Sequence, residues 1–287
     1  MTPPSEMSGQ HETARQQSKA AWGAVAPGWY AQREELWKAS RPVSEWMIRK
    51  LDPQSGDTVL ELAAGLADTG LMAARLVGEA GRVMVTDFTP EMVAAACRRA
   101  KELDVHNAEF RVLDAERMEL ETESVDGVLC RWAYMLMIDP QAAFSETRRV
   151  LRLGGKLTFS VWSARERNPA LSLLGTVLVE LGHIPPPDPE APGAFAMSDP
   201  RRIRELVVGA GFAEPEIEEV SFRLPFADRD AYWRYLTETS ASSSPVLRSL
   251  SPEEQDRVRE QVHEVARPFQ SNEGYDFPSV CLNVVTY

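Results

Sequence analysis

The chain has 287 residues, 44% of them hydrophobic and 26% charged, with a formal net charge of -12. That length builds one large α/β domain with a buried core and no need of staples, and the composition is that of an ordinary soluble globular protein. The excess of acid argues against a nucleic-acid backbone as the main partner, and no apolar run approaches the ~18 residues of a membrane span.

Residues 1–17 are polar, carry Pro3 and Pro4, and lack the apolar core of a signal peptide, which predicts a disordered tail and a cytoplasmic protein. An N-terminal helical cap follows over 18–51, its aromatic and apolar residues at helical spacing. Pro27-Gly28 and Arg41-Pro42 divide it into two or three short helices. Strands at 58–62, 82–87, 108–113, 125–131 and 156–162 alternate with helices at 71–76, 90–103 and 141–150, the regular rhythm of βαβ units. Residues 52–163 thus read as an α/β core. Residues 164–200 hold an apolar helical stretch and the run Pro185-Pro186-Pro187, and read as an inserted lid, with a plain linker as the alternative. Residues 201–287 return to the core with added helices and end in a strand. The fold class is α/β: a Rossmann-like, seven-stranded, mostly parallel sheet with helices on both faces. Arg148, Arg149 and Arg152 form a small basic group that reads as the exposed end of a helix. Cys97, Cys130 and Cys281 show no metal-site or disulfide spacing and read as free, buried thiols.

The strongest local signal is the run from Val59 to Gly70, a buried strand passing through Ala63, Ala64 and Gly65 into a helix. Small residues admit a ligand to the backbone, and a helix N-terminus adds partial positive charge. The second and third strands end in Asp87 and Asp114, two carboxylates that converge on the crevice where doubly wound sheets bind ligands. A dinucleotide site requires glycines at positions held here by Ala63 and Asp68, and Asp68 places negative charge where a pyrophosphate would lie. Glu61 offers a carboxylate to an ammonium group. Those charges favour S-adenosylmethionine, which carries an ammonium and a sulfonium but no phosphate.

Leu60-Glu61-Leu62-Ala63-Ala64-Gly65, Asp87, Leu113-Asp114-Ala115-Glu116 and the run from Arg149 to Gly155 together resemble the ordered motifs of class I S-adenosylmethionine-dependent methyltransferases. The nearest flavour is the ubiquinone/menaquinone-biosynthesis group and its small-molecule relatives. The resemblance implies an antiparallel last strand. It also implies that Ala63 and Gly65 line the methionine part of the cofactor and that Asp87 binds its ribose. Phe88 and Met92 would flank the adenine, Asp114 and Ala115 would bond it, and Cys130 and Arg131 would offer backbone contacts to the methionine end. Leu66-Ala67 departs from the small polar residue and glycine usual there.

Methyl transfer from an activated carbon is an in-line displacement that rests mainly on positioning, so few catalytic side chains are demanded. His183 is the histidine to test as a base. Trp22, Trp29, Trp132 and Tyr134 are expected to wall an apolar acceptor pocket, with Tyr30 on its cofactor side, because aromatic faces also attract a sulfonium. No residue cluster suggests a metal. The expected function is methylation of an apolar, aromatic or isoprenoid-like small molecule by a monomer or homodimer. A cofactor-binding relative repurposed for binding or another reaction is the alternative.

Overall fold

Apolar runs shielded on both faces form the middle of the sheet: Val59 and Leu60, Val83 and Val85, and Val128 and Leu129 are all buried. The computed structural model describes residues 4–188, 191–271 and 274–287, with the backbone alone for residues 4–8 and 10. β1 (Thr58–Glu61), β2 (Arg82–Asp87), β3 (Ala108–Val112), β4 (Val125–Arg131) and β5 (Leu151–Trp162) run parallel in the order β3-β2-β1-β4-β5. After β5 come β6 (Glu216–Phe226), the two-residue β7 (Gln270–Ser271) and β8 (Gly274–Thr286). β8 inserts antiparallel between β5 and β6, with Phe159 opposite Val284 and Val220 opposite Cys281. The sheet is therefore Rossmann-like and mostly parallel, with a reversed last strand. It has seven strands in continuous order, plus β7, which pairs only with β8. Strand order reverses between β1 and β4, so the crevice at their carboxyl ends is the natural ligand site.

Helices cover both faces. α1 (Pro4–Ala31) and α2 (Arg33–Leu51) precede the sheet, α3 (Asp68–Val77) and α4 (Pro90–Glu102) connect β1 to β3, and α5 (Pro140–Val150) precedes β5. α6 (Pro169–Glu180), α7 (Pro200–Gly209), α8 (Arg229–Thr239), α9 (Ser243–Ser249) and α10 (Pro252–Val265) complete the chain. Helix starts follow local chemistry: Asp139, Asp199 and Asp228 cap α5, α7 and α8, and Ser251 with Glu254 makes a capping box for α10.

Three expectations are corrected. Residues 4–17 are the first half of α1 rather than a disordered tail, because Arg15 gives that half an anchor on Glu116 of the core. Pro27 and Pro42 lie inside α1 and α2, and the chain breaks instead at Gln32. Tertiary contact outweighs the missing N–H groups. A Cβ on Gly28 would stand 2.3 Å from the Glu238 carbonyl oxygen, so α1 presses directly on α8 there. Finally, no described residue of 164–200 lines the cleft. Ala170, Leu174, Val177 and Leu178 of α6 are buried in the core, and it is α1 that crosses the strand ends.

Candidate active site

The turn from β1 into α3 is shaped by backbone conformation. Ala63, Gly65 and Ala67 take φ of 46°, 55° and 62°, the left-handed region that favours residues with little or no side chain. The loop is tied to β2: the Ala64 amide donates to the Thr86 carbonyl at 2.9 Å, and the Gly65 amide to Asp87 Oδ2 at 3.1 Å. Asp87 also accepts from the Thr89 amide and hydroxyl at 3.0 and 2.9 Å. Burial raises its carboxyl above the usual range, against those hydrogen bonds.

The loop after β3 is fixed in the same manner. Asp114 Oδ1 accepts from the Glu116 amide at 2.9 Å, and Glu116 Oε1 accepts from the Ile138 amide at 2.7 Å, joining the loops after β3 and β4. Arg149 donates to the carbonyls of Met118 and Leu120 and pairs with Glu146, so this part of the sequence motif steadies the segment leading out of β3. Arg15 of α1 pairs with Glu116 and lies 3.7 Å from Asp114, closing one end of the cleft.

These loops and α1 line one continuous cleft that opens to solvent. Among the expected residues, Ala63, Gly65, Asp87, Phe88, Met92, Asp114, Ala115, Arg131, Trp22, Trp29 and Trp132 all line it. Trp132 stacks on Trp162 with centroids 4.2 Å apart and donates its Nε1–H to Cys281 Sγ at 3.0 Å, so the ring is locked.

Five expected residues lie elsewhere. Tyr134 is fully buried, stacked on Phe144 and bonded to Thr147, because the 3₁₀ turn at residues 134–136 rotates it into the core. Tyr30 turns away to Glu102 and Arg98 on α4. His183 is outside the cleft, where its amide closes the end of α6 by donating to the Leu178 carbonyl. Cys130 is buried beneath the floor, and burial raises its thiol.

Glu61 is the fifth. Its carboxylate lies under the loop rather than in the cleft, and its Oε2 has no hydrogen-bond partner among the described residues. Burial pushes it to about 8, with a hydrogen bond from the Gly70 amide opposing, so at neutral pH it is largely protonated. A Cβ on Gly70 would stand 2.2 Å from Glu61 Oε2, which explains the glycine.

The acid following this loop that does reach the cleft is Asp68, at the start of α3, paired through Oδ1 with Arg99 Nε at 3.1 Å. Sequence reasoning used Asp68 only against a pyrophosphate. It missed Arg15 and Leu36 altogether, because no local pattern marks which residues of a separate helix will cross a strand end.

Residues 53–177 match the sequence family described as a methyltransferase domain. That match spans the core of the parallel sheet and is to a methyltransferase domain. Over 105 residues the chain is 36% identical to the arsenite methyltransferase of Halobacterium salinarum, covering 37% of this chain and 27% of that protein. Over 103 residues it is 32% identical to the ubiquinone/menaquinone biosynthesis C-methyltransferase UbiE of Klebsiella pneumoniae, covering 36% and 41%. The chain thus spans less than half the length of these curated relatives. The solved YcgJ protein of Bacillus subtilis is 17% identical at a TM-score of 0.58, over 85% of this chain and 97% of that one, and it shares the fold.

S-adenosylmethionine is the cofactor of such a methyltransferase domain, and the residues present fit it. The loop admits close backbone approach, two carboxylates stand at neighbouring strand ends, and the apolar wall suits a purine and a sulfonium. Nothing in the loop is built for a pyrophosphate, because Asp68 opposes one. Among the described residues no group of three or more His, Cys, Asp or Glu is placed to hold a metal ion, and no helix is long and apolar enough to cross a membrane.

Proposed function

We propose that this chain transfers a methyl group from S-adenosylmethionine to an apolar, aromatic or isoprenoid-like small molecule. The observation that carries the reading is the cleft itself: Asp87 and Asp114 at the ends of adjacent parallel strands, continuous with a wall of Trp22, Trp29, Leu36, Trp132, Leu136 and Met137.

The cofactor supplies a methyl carbon already activated by its sulfonium. Asp87 would accept from ribose hydroxyls, and Asp114 with the Ala115 amide would fix the adenine between Phe88 and Met92. The loop from Ala63 to Gly65 would carry the methionine end. The locked face of Trp132 would orient a flat acceptor, and α1 would exclude water over the reacting atoms. No histidine lines the cleft, so positioning rather than a histidine base carries the reaction in this reading. The protein would act in the cytoplasm on a small molecule rather than nucleic acid, as a monomer or homodimer, in keeping with its acidic charge.

Calorimetry with S-adenosylhomocysteine and with NAD tests the cofactor, and absence of binding by the first overturns the proposal. A metabolite screen with S-adenosylmethionine then tests the acceptor. A product one methyl heavier and of apolar character is expected, and methylation confined to highly charged metabolites would overturn that part. Cofactor binding with metabolite turnover but no methylated product would favour the repurposed relative instead.

A further inference from the structure

Arg15 stands at the end of the cleft marked by Asp114, with part of its donor set unused. Its Nε donates to Glu116 Oε2 at 3.0 Å and its Nη2 pairs with the same oxygen, so one edge of the guanidinium is held and its charge is balanced. Nη1, on the side away from that carboxylate, is buried and has no hydrogen-bond partner among the described residues. Arg15, Ser18 and Trp22 follow one another at the spacing of a single helix face, and all three line the cavity. This face of α1 is therefore the one turned toward a ligand.

An N–H buried without a partner is costly unless a ligand completes it. Because Glu116 already balances the charge, what Arg15 offers is a hydrogen-bond donor suited to an uncharged acceptor atom. Its neighbours say which atom. Asp114 Oδ1 is occupied by the Glu116 amide, and Oδ2, the oxygen left for a ligand, is 3.7 Å from Arg15 Nε. A carboxylate bonds the base of an adenine nucleoside through the 6-amino group, its one donor. Two ring nitrogens flank that group, N1 and N7, and in the proposed site the Ala115 amide takes one flank. We infer that Arg15 donates through Nη1 to N7 on the other flank, making α1 a reader of the purine as well as its cover. The inference rests on the proposed cofactor and extends it. Arg15 lies outside residues 53–177, the stretch that matches a methyltransferase domain, so base recognition is divided between that domain and the helix laid across it.

Three ligands isolate the ring nitrogens: S-adenosylhomocysteine and its 7-deaza and 3-deaza analogues, in which a C–H replaces one nitrogen. Calorimetric affinities are measured for the unaltered chain and for Arg15→Met, the variant checked for an unchanged circular dichroism spectrum. The unaltered chain should bind the 7-deaza analogue about tenfold or more weakly than the parent, the loss of a charge-assisted hydrogen bond. Arg15→Met should erase that difference while keeping the ratio between the parent and the 3-deaza analogue. A helix merely loosened by the substitution would weaken all three ligands alike and leave both ratios in place. Equal affinity of the unaltered chain for the parent and the 7-deaza analogue overturns the inference, a comparison that needs no variant. Discrimination that survives Arg15→Met overturns it too, and leaves Arg15 only its part in pinning α1. Failure of the unaltered chain to bind any of the three ligands would instead defeat the cofactor reading itself.

Discussion

At the scale of single residues, the site depends on groups whose hydrogen-bonding capacity is divided between the fold and a ligand. Asp87 holds the Gly65 amide and the start of α4 while presenting a buried carboxylate to the cleft. Asp87→Ala should weaken S-adenosylhomocysteine by about one to two orders of magnitude, the range for hydrogen bonds to a charged group, as read by calorimetry. Gly70→Ala would drive a methyl into Glu61 and should lower stability by about 1–3 kcal/mol, typical of overpacking, as read from urea unfolding. His183→Ala should leave kcat and its pH profile unchanged, because the side chain is not in the cleft. Asp87 and Asp114 were legible in the sequence because a strand end fixes where a carboxylate emerges. Tyr134 and Trp132 were not separable there. Both follow β4 at nearly the same distance, and only a backbone reversal at Trp132, with φ of 61°, sends one ring to the cleft and leaves the other to the core.

At the scale of elements, the parallel strands and their helices were legible because hydrophobic period and turn residues agree locally from Thr58 to Trp162. The N-terminal helices were less so. Proline and glycine at 27–28 predict a break, yet glycine is what allows α1 to approach α8, and that contact is specified by residues about 200 positions later. α1 forms the cover of the cleft, pinned at one end by Arg15 and at the other by the Trp29 Nε1–H donating to the Thr239 carbonyl at 2.9 Å. Arg15→Ala leaves Glu116 without its cation and should raise amide hydrogen exchange across α1 while leaving β1, β2 and β4 protected. Added S-adenosylhomocysteine should restore part of that protection. Uniform loosening of the sheet would show instead that α1 is part of the core's own stability.

At the scale of the whole molecule, two buried titrating groups shape stability against pH. His263, buried beside Tyr275 with its Nε2 unpaired, is lowered by burial to about 4 from 6.5. The unfolded chain therefore binds more protons between those values, and stability from this group is lost as pH falls through them. Glu61 is raised from 4.5 to about 8, so here the folded chain binds more protons, and stability is lost as pH rises through that interval. The two effects oppose each other between 4.5 and 6.5, so urea midpoints should decline between 6.5 and about 8, and Glu61→Gln should flatten that decline and steepen the rise on the acid side. An unchanged slope in the variant would assign the decline to other groups.

The seating of α1 also bears on the order of folding. Its partners are Glu116, α4 and α8, so its docking is a long-range closure that follows assembly of the strands it crosses. Refolding should therefore show the sheet's fluorescence and far-ultraviolet signals first, with burial of Trp22 and Trp29 as a later phase. During that interval the cleft stands open to solvent along its whole length, and a nucleoside present then would be enclosed as the helix arrives.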